Sequence, residues 1–539
     1  MSASAMTSAL LRRLDPCEDP QAEPVTRAQV LALLLATGAA AFFWLRWKLQ
    51  PMQDLGHHVG LAAVTSDWGR PGSIYTALYQ PIDHLAANSL LWSLSGLLGR
   101  AIGVTLALRL FLLLFYVAGL PWVVAWALRA RGRSIWPAVA AAGLVHLGVF
   151  TAGFANFLFA APLLVVAVVQ FARLLEGPSV GRTALCALLA VLVFIAHAHV
   201  FLWLGGLWIS LLLRAIFLSL RGAEPVPWGR RVPVLHLLVA ALLAALPALG
   251  LLARWYLRTF VRSDARIGAS GAAEGFGATF KSLHDLVRDL PSSVQSLRSG
   301  RDLELLLFLL LVAAFALWAR RKAPQRDLVL ELCCVLSLAA YFFLPEWLRG
   351  HDSLGSRQPA IALWFLPALL APVPEAVSRL SRRLVTSGVL AFTAAFFIVW
   401  SDALWKFETQ EVAGLEEVMS ALPPRARLHM VKLDPDSRYF TWRSLWHVEK
   451  YVMSDHLGQT PDTAAILATC PIHYRPGIDI HRIVWGHDNG WPRVDEIWAN
   501  FDAVLVRRWR PSPQMQSLAE QRGVLLMKSG DWELWAPRR

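Results

Sequence analysis

Long apolar runs dominate this chain of 539 residues and constrain its fold more than any other feature. A helix needs about 20 largely apolar residues to cross a bilayer. Eleven runs approach that length, at 27–46, 104–128, 135–152, 154–175, 183–199, 200–219, 233–253, 302–319, 327–345, 359–378 and 384–403. Hydrophobic residues make up 56% and charged residues 17%, whereas an average soluble domain carries about 25% charged residues. This composition excludes a soluble enzyme, a disordered chain and a nucleic-acid-binding domain. We predict an all-α polytopic membrane bundle of about 11 transmembrane helices.

Arginine positions set the predicted orientation, because basic residues of membrane proteins collect in cytoplasmic loops. The net charge of +13 therefore needs no nucleic-acid partner. The apolar segment 84–99 is short and interrupted by polar residues, so we interpret it as an interfacial helix. The loops then alternate, and the arginine-rich ones share one face, the cytoplasm. These arginines are Arg129, Arg131, Arg133, Arg173, Arg182, Arg221, Arg230, Arg231, Arg320, Arg321, Arg379, Arg382 and Arg383.

The same orientation defines the organisation of the chain. Residues 1–26 are predicted to be a cytoplasmic tail, and residues 27–403 the transmembrane bundle. The predicted outer loops are 47–103, 254–301 and 346–358. Residues 404–539 alternate apolar stretches with turn signals, which is typical of a small α/β domain. Near its end we predict a helix around Pro513 to Arg522, then a strand, a turn at Ser529-Gly530 and another strand. We expect this C-terminal domain to be extracytoplasmic.

The first outer loop opens with Gln53-Asp54-Leu55-Gly56-His57-His58 at the water boundary. On a helix, Asp54 shares a face with His57 and His58, which suits a general base with an orienting partner, or ligands of a divalent metal. We therefore take Asp54, His57 and His58 as candidate catalytic residues. The structural alternative is a polar helix start with Asp54 as N-cap.

His197 and His199 lie where two predicted spans meet at the outer face. Ionisable groups at membrane depth are costly and indicate function. Two more imidazoles facing the first loop would complete a metal site. The candidate ligands are Asp54, His57, His58, His197 and His199. The alternative is an interfacial turn in which the histidines satisfy the backbone.

Two basic segments in the outer loops are candidate phosphate sites, since arginine recognises phosphate with two parallel hydrogen bonds. One is a stripe at steps of four residues that contains Arg254 and Arg258. The other is the loop that contains Arg349, His351 and Arg357. General contact with lipid headgroups is the alternative for the stripe. Ion pairs with Glu346 or Asp352 are the alternative for the loop.

Two further features receive a mainly structural interpretation. The segment Gly153-Phe154-Ala155-Asn156-Phe157 is predicted to be an outer turn permitted by glycine and anchored by aromatic rings. Most tryptophans of the C-terminal domain are assigned to packing. Trp442, His447 and Trp485 are kept as candidates for sugar contacts.

The layout resembles the GT-C superfamily of integral membrane glycosyltransferases. The resemblance lies in QDLGHH of the first outer loop, HLAANSLLWSLSGLLG before a span with ALRL, TAGFANF, GSRQP, and HVEKYVMSDHLG and FDAVLVRRW in the C-terminal domain. In that superfamily an acidic residue of the first outer loop acts as base toward the acceptor, and Asp54 matches it. The second acid that often adjoins the first is absent here.

This resemblance implies a transferase of the bacterial inner membrane. It implies transfer of a sugar from a polyprenyl-phosphate-linked donor to a glycan, lipid or protein acceptor at the periplasmic face, with inversion. Some members need a divalent metal ion, and membrane lipids are further partners. Two other classes stay open. One is a flippase or transporter of a lipid-linked or anionic solute, although no internal repeat supports it. The other is a noncatalytic scaffold of an envelope-assembly complex.

Overall fold

The secondary structure of this computed structural model is mainly helical. It describes residues 24–47, 49–222, 232–261, 278–321, 327–348, 354–371, 377–431, 436–460, 470–475, 498–508 and 513–538. The helices of these segments are α1 (Arg27–Arg46), α2 (Leu55–Asp67), α3 (Ile74–Leu78), α4 (Leu90–Ile102), α5 (Val104–Leu112), α6 (Gly119–Ala130), α7 (Ala138–Leu144), α8 (Val149–Ala152), α9 (Ala155–Glu176), α10 (Val180–Ala196), α11 (Ala198–Leu220), α12 (Val234–Tyr256), α13 (Leu283–Val294), α14 (Arg301–Ala319), α15 (Val329–Phe343), α16 (Gln358–Leu370), α17 (Arg379–Lys406), α18 (Leu415–Ser420), α19 (Tyr451–Asp455) and α20 (Pro513–Arg522).

Seven helices within the described segments are long and apolar enough to cross a membrane. They are Arg27–Arg46, Val104–Ala130, Ala155–Glu176, Ala198–Leu220, Val234–Thr259, Arg301–Ala319 and Arg379–Val412. Three of these ranges are longer than the α-helices given above because they include an adjoining π-helical turn, and Val104–Ala130 contains both α5 and α6. Three shorter apolar helices, α10, α15 and α16, occupy three more of the predicted spans. The predicted polytopic helical bundle is therefore confirmed.

The predicted span 135–152 is the exception, because it is not one helix. It forms α7 and the four-residue α8, separated at residues 145–148. Gly148 has a φ of +50°, and a Cβ there would lie 2.2 Å from the carbonyl oxygen of Ser293. Close packing of another chain segment against this glycine thus accounts for the break. The predicted continuous helix is wrong here, because Gly148 is a point of close backbone contact and not one more apolar position in a helix.

Helix α4 lies in the segment 84–99, whose interfacial position stays a prediction. Its 13 residues span about 20 Å, like those of α16, so length alone does not separate an interfacial helix from a span. Leu91 and Trp92 are buried on one face, while Leu97 is exposed on the other. The helix begins at Leu90, later than predicted.

Several of the arginines predicted to lie in cytoplasmic loops form buried ion pairs. Arg131 contacts Glu176 at 2.6 Å and Asp327 at 2.5 Å. Glu331 Oε1 lies 2.5 Å from Arg133 Nη1 and 3.2 Å from Arg320 Nη1. Pairing is needed because an isolated buried charge is very costly. These arginines do meet at one end of the bundle, as the orientation requires, but they are buried and neutralised there.

The C-terminal domain contains a four-stranded sheet of β3 (Leu428–Val431), β4 (Ala503–Arg507), β5 (Gly523–Ser529) and β6 (Trp532–Pro537), in the order β3-β4-β6-β5. Strands β3 and β4 are parallel, with Leu428 opposite Ala503, and the other pairs are antiparallel. The predicted helix, strand, turn and strand at the end of the chain are confirmed. A two-residue pair, β1 (Ala278–Thr279) with β2 (Trp347–Leu348), joins two of the predicted outer loops and was not predicted.

The C-terminal domain packs directly on the first outer loop. The Tyr75 hydroxyl lies 2.9 Å from the carbonyl oxygen of Met453 and 2.7 Å from that of Gly458. Tyr79 stacks on Tyr474 with ring centroids 4.7 Å apart. The hydrophobic core of the bundle continues into this domain. The loop and the domain therefore form one surface over the membrane helices.

We expect cysteine labelling to place the two ends of α9 and their neighbouring loops on opposite sides of the membrane. Val180 is 87% exposed beside the arginine cluster, and Ser292 is exposed in the predicted outer loop. A membrane-impermeant maleimide should label Ser292→Cys in intact cells and Val180→Cys only after permeabilisation. The control is the parent protein with Cys17→Ser, since the four described cysteines are buried. Labelling of both positions from the same side would contradict the orientation.

Candidate functional site

Asp54 occupies the N-cap position of α2, but its side chain makes no capping hydrogen bond. The Gln53 side-chain amide donates to Asp54 Oδ1 at 3.4 Å. The backbone N–H of Gln53 donates to the Thr151 carbonyl at 2.9 Å. The carboxylate is 23% exposed. The N-cap alternative therefore explains the position of Asp54 and not the orientation of its side chain.

The predicted outer turn lies directly against Asp54. Gly153 has a φ of +81°, and a Cβ there would lie 2.4 Å from the backbone nitrogen of Asp54. A side chain of any size would push the two segments apart. Glycine does permit this turn, as predicted. The close contact at Gly153 also fixes the backbone of Asp54, the candidate catalytic residue.

His58 joins α2 to this turn and to the interfacial helix. The indole N–H of Trp92 faces His58 Nδ1 at 2.9 Å, and the backbone N–H of Ala155 faces Nε2 at 3.3 Å. A neutral imidazole accepts at one nitrogen only, so the two contacts alternate with the tautomer. Burial, reinforced by the charges of His57 and His447, holds the pKa of His58 well below its usual range. His58 is thus a neutral, buried link between three elements.

A histidine of the C-terminal domain lies beside Asp54. His447 Nε2 is 3.7 Å from Asp54 Oδ1, and His447 Nδ1 is 3.8 Å from Glu449 Oε1. The rings of His57 and His447 are 5.7 Å apart, centroid to centroid. Sequence reasoning kept His447 only as a sugar-contact candidate. No spacing rule relates it to Asp54, because the two residues lie in separate domains.

Arg357 contacts the same turn. Its guanidinium carbon lies 4.0 Å from the ring centroid of Phe154. Phe154 in turn meets Trp442 edge to face, with centroids 6.1 Å apart. A cation and two aromatic rings therefore lie beside Ala155, whose N–H faces His58. Among the predicted phosphate ligands within the described residues, Arg357 lies against the turn that contacts Asp54.

The other predicted phosphate ligands have different surroundings. Arg254 and Arg258 both contact Asp83 Oδ2, at 2.9 and 3.0 Å. Asp83 lies in the first outer loop, so these pairs tie α12 and its π-helical extension to that loop. Arg349 and His351 lie outside the described residues, as does Trp485.

The described residues do not bring the predicted metal ligands together. His197 is the N-cap of α11, with its Nδ1 accepting from the Val200 N–H at 3.4 Å. His199 Nε2 is hydrogen-bonded to the side-chain amide of Gln358 at 2.9 Å. Within the described segments no group of three or more His, Cys, Asp or Glu side chains could hold a metal ion. Metal binding by Asp54, His57, His58, His197 and His199 stays a prediction.

Two asparagines complete the frame around the turn, and sequence reasoning gave them no role in the site. The Asn156 side chain donates to the Asn88 carbonyl at 2.8 Å, and Asn88 Oδ1 accepts from the Ala198 N–H at 3.1 Å. The first outer loop, α9 and α11 are thereby joined. Asn88 has a φ of +66°, a conformation that asparagine adopts more often than most other residues. An asparagine just before an apolar helix is therefore the signal that the sequence offers for this position.

These elements define a polytopic helical membrane protein with a C-terminal α/β domain built onto the first predicted outer loop. The comparisons agree with this class. The crystal structure of ArnT from Cupriavidus metallidurans in the apo state is similar, with a TM-score of 0.54 and 15% identity, covering 94% of this chain and 98% of that chain. The structure of that ArnT bound to undecaprenyl phosphate gives 0.52 and 14%, covering 93% and 97%. At this identity the likeness establishes the fold.

Sequence comparisons add nothing to this structural likeness. No protein-family model matches the chain, and no curated protein matches it. The resemblance predicted from short motifs is borne out at the level of the fold, which this chain shares with the two ArnT structures.

Proposed function

We propose that this chain is a membrane glycosyltransferase of the bacterial inner membrane. It would move a sugar from a polyprenyl-phosphate-linked donor to an acceptor at the periplasmic face, with inversion. The observation that carries the proposal is the Asp54 carboxylate. It stands where the first predicted outer loop, the turn at Gly153 and the C-terminal domain meet. The similar ArnT structure bound to undecaprenyl phosphate supports a lipid-linked donor.

The reaction follows from the positions of the charged groups. Asp54 takes the proton of an acceptor hydroxyl as that oxygen attacks the anomeric carbon. The bond from the anomeric carbon to the phosphate oxygen breaks, and the lipid phosphate leaves with both bonding electrons. Arg357 stabilises the phosphate charge. A single in-line displacement inverts the anomeric carbon.

The transfer assay uses the purified chain in lipid nanodiscs. The donors are a panel of tritium-labelled undecaprenyl-phosphate hexoses and pentoses, and the acceptor is a bacterial envelope fraction. The proposal expects one donor to be consumed with label appearing in the acceptor. Binding of undecaprenyl phosphate without transfer from any donor would favour the scaffold or transporter alternatives.

Arg357→Ala is expected to weaken undecaprenyl phosphate binding about tenfold or more, because a charged hydrogen bond is worth about 1.5–3 kcal/mol. The matched control is Arg321→Ala, which also removes an arginine stacked on an aromatic ring, that of Trp318 at 4.9 Å, but near the arginine cluster. Titration of both variants in nanodiscs with undecaprenyl phosphate gives the comparison. Equal affinity of Arg357→Ala and the parent protein would remove Arg357 from the site.

A further inference from the structure

We infer that His447 is a positioning residue for Asp54, so that the active site is complete only with the C-terminal domain docked. The inference rests on the proposed function and adds the part that this domain contributes. In the order of the contacts, a buried carboxylate, an imidazole and the candidate base follow one another: Glu449, His447 and Asp54.

Solvent exposure increases along these three groups, from Glu449 through His447 to Asp54. The Glu449 side chain is 2% exposed, that of His447 11% and that of Asp54 23%. The inner carboxylate therefore sits behind the imidazole, and the outer one is the most open to a substrate. A carboxylate behind a histidine fixes its ring orientation and tautomer. His447 then presents its Nε2 side to Asp54 Oδ1.

The distances of 3.7 and 3.8 Å are longer than a direct hydrogen bond. Catalytic contacts are often long without substrate and shorten in the complex. A donor from His447 on Oδ1, beside the Gln53 side-chain amide, would hold the plane of the Asp54 carboxylate. His447 would act through Asp54 and would not touch the reacting atoms.

Backbone contacts fix the position of His447 relative to Asp54. Gly56 lies two residues after Asp54, and a Cβ there would be 2.0 Å from the carbonyl oxygen of His447. That carbonyl also accepts from the Lys450 N–H at 3.1 Å. The Ser444 hydroxyl donates to the Pro51 carbonyl at 3.4 Å. Two main chains thus meet beside the candidate base, and Gly56 permits their approach.

The same interface continues along α2, away from Asp54. A Cβ at Gly60 would lie 3.0 Å from the sulfur of Met453. Thr105 and Ser454 share a hydrogen bond of 2.9 Å between their hydroxyls. The domain is therefore held by many contacts, and loss of the His447 imidazole alone should leave it docked.

The test compares His447→Phe, which keeps an aromatic ring without nitrogen, with His447→Gln, which keeps a side-chain N–H. In the transfer assay we expect His447→Phe to lower kcat about tenfold to a hundredfold, with the KM for the lipid donor unchanged. His447→Gln should restore most of kcat. His456→Phe, in the same domain, is the control and should behave as the parent protein. Undecaprenyl phosphate binding should be equal in all of them.

Three outcomes would overturn the inference. The first is a normal kcat for His447→Phe while Asp54→Asn is inactive, which would leave the proposed function intact. The second is an equal loss in the Phe and Gln variants with a lowered melting temperature, which would show a structural role. The third is a raised KM with normal kcat, which would make His447 a binding residue. Absence of transfer by the parent protein would instead refute the proposed function itself.

Discussion

Asp54→Asn is expected to abolish sugar transfer while the protein stays folded and inserted. General-base catalysis contributes about a hundredfold to ten-thousandfold, so kcat in the transfer assay should fall by at least a hundredfold. Stability should change little. Asparagine has nearly the size of aspartate and caps helices equally well, and the Asp54 side chain makes no capping bond in any case.

The matched control for this variant is Asp402→Asn, which removes the same charge from an exposed pair with Lys406 on α17. Surface pairs of this kind are worth at most about 1 kcal/mol, so both stability and transfer should match the parent protein. Thermal unfolding of the two variants in detergent separates loss of chemistry from loss of fold. Full transfer by Asp54→Asn would remove the catalytic role and favour the transporter or scaffold alternatives.

Local patterns in the sequence predicted the elements that depend on local physics. Apolar length gave the spans, and the turn signal at Ser529-Gly530 gave β5 and β6, where Gly530 has a φ of +56°. In each case one segment contains its own cause.

Elements that depend on a distant partner could not be predicted this way. The break at Gly148 is caused by the backbone near Ser293. The charge of Arg131 is balanced by the Asp327 carboxylate, which is distant in the sequence. The same limit applies to the site. Asp54 is a candidate because of its own neighbourhood in the sequence, whereas nothing local to His447 relates it to Asp54. Its position follows from domain docking at Gly56.

Gly153→Ala is expected to damage both stability and transfer. A φ of +81° costs an alanine about 1–2 kcal/mol, and a Cβ only 2.4 Å from the Asp54 nitrogen adds about 1–3 kcal/mol of overpacking. The contact yields only if the turn and α2 move apart. A displacement of about 1 Å can cost a hundredfold in rate, so transfer should fall by about that factor.

Gly205→Ala is the matched control, because a Cβ at this position in α11 meets no heavy atom within 4 Å. Its melting temperature and transfer rate should equal or slightly exceed those of the parent protein, since alanine favours helix more than glycine does. The pair also complements the Asp54 variant. Asp54→Asn removes chemistry at constant stability, whereas Gly153→Ala keeps the carboxylate and displaces it. If Gly153→Ala kept normal stability and full transfer, the turn would not hold Asp54 in place, and the geometric basis of the proposed site would be lost.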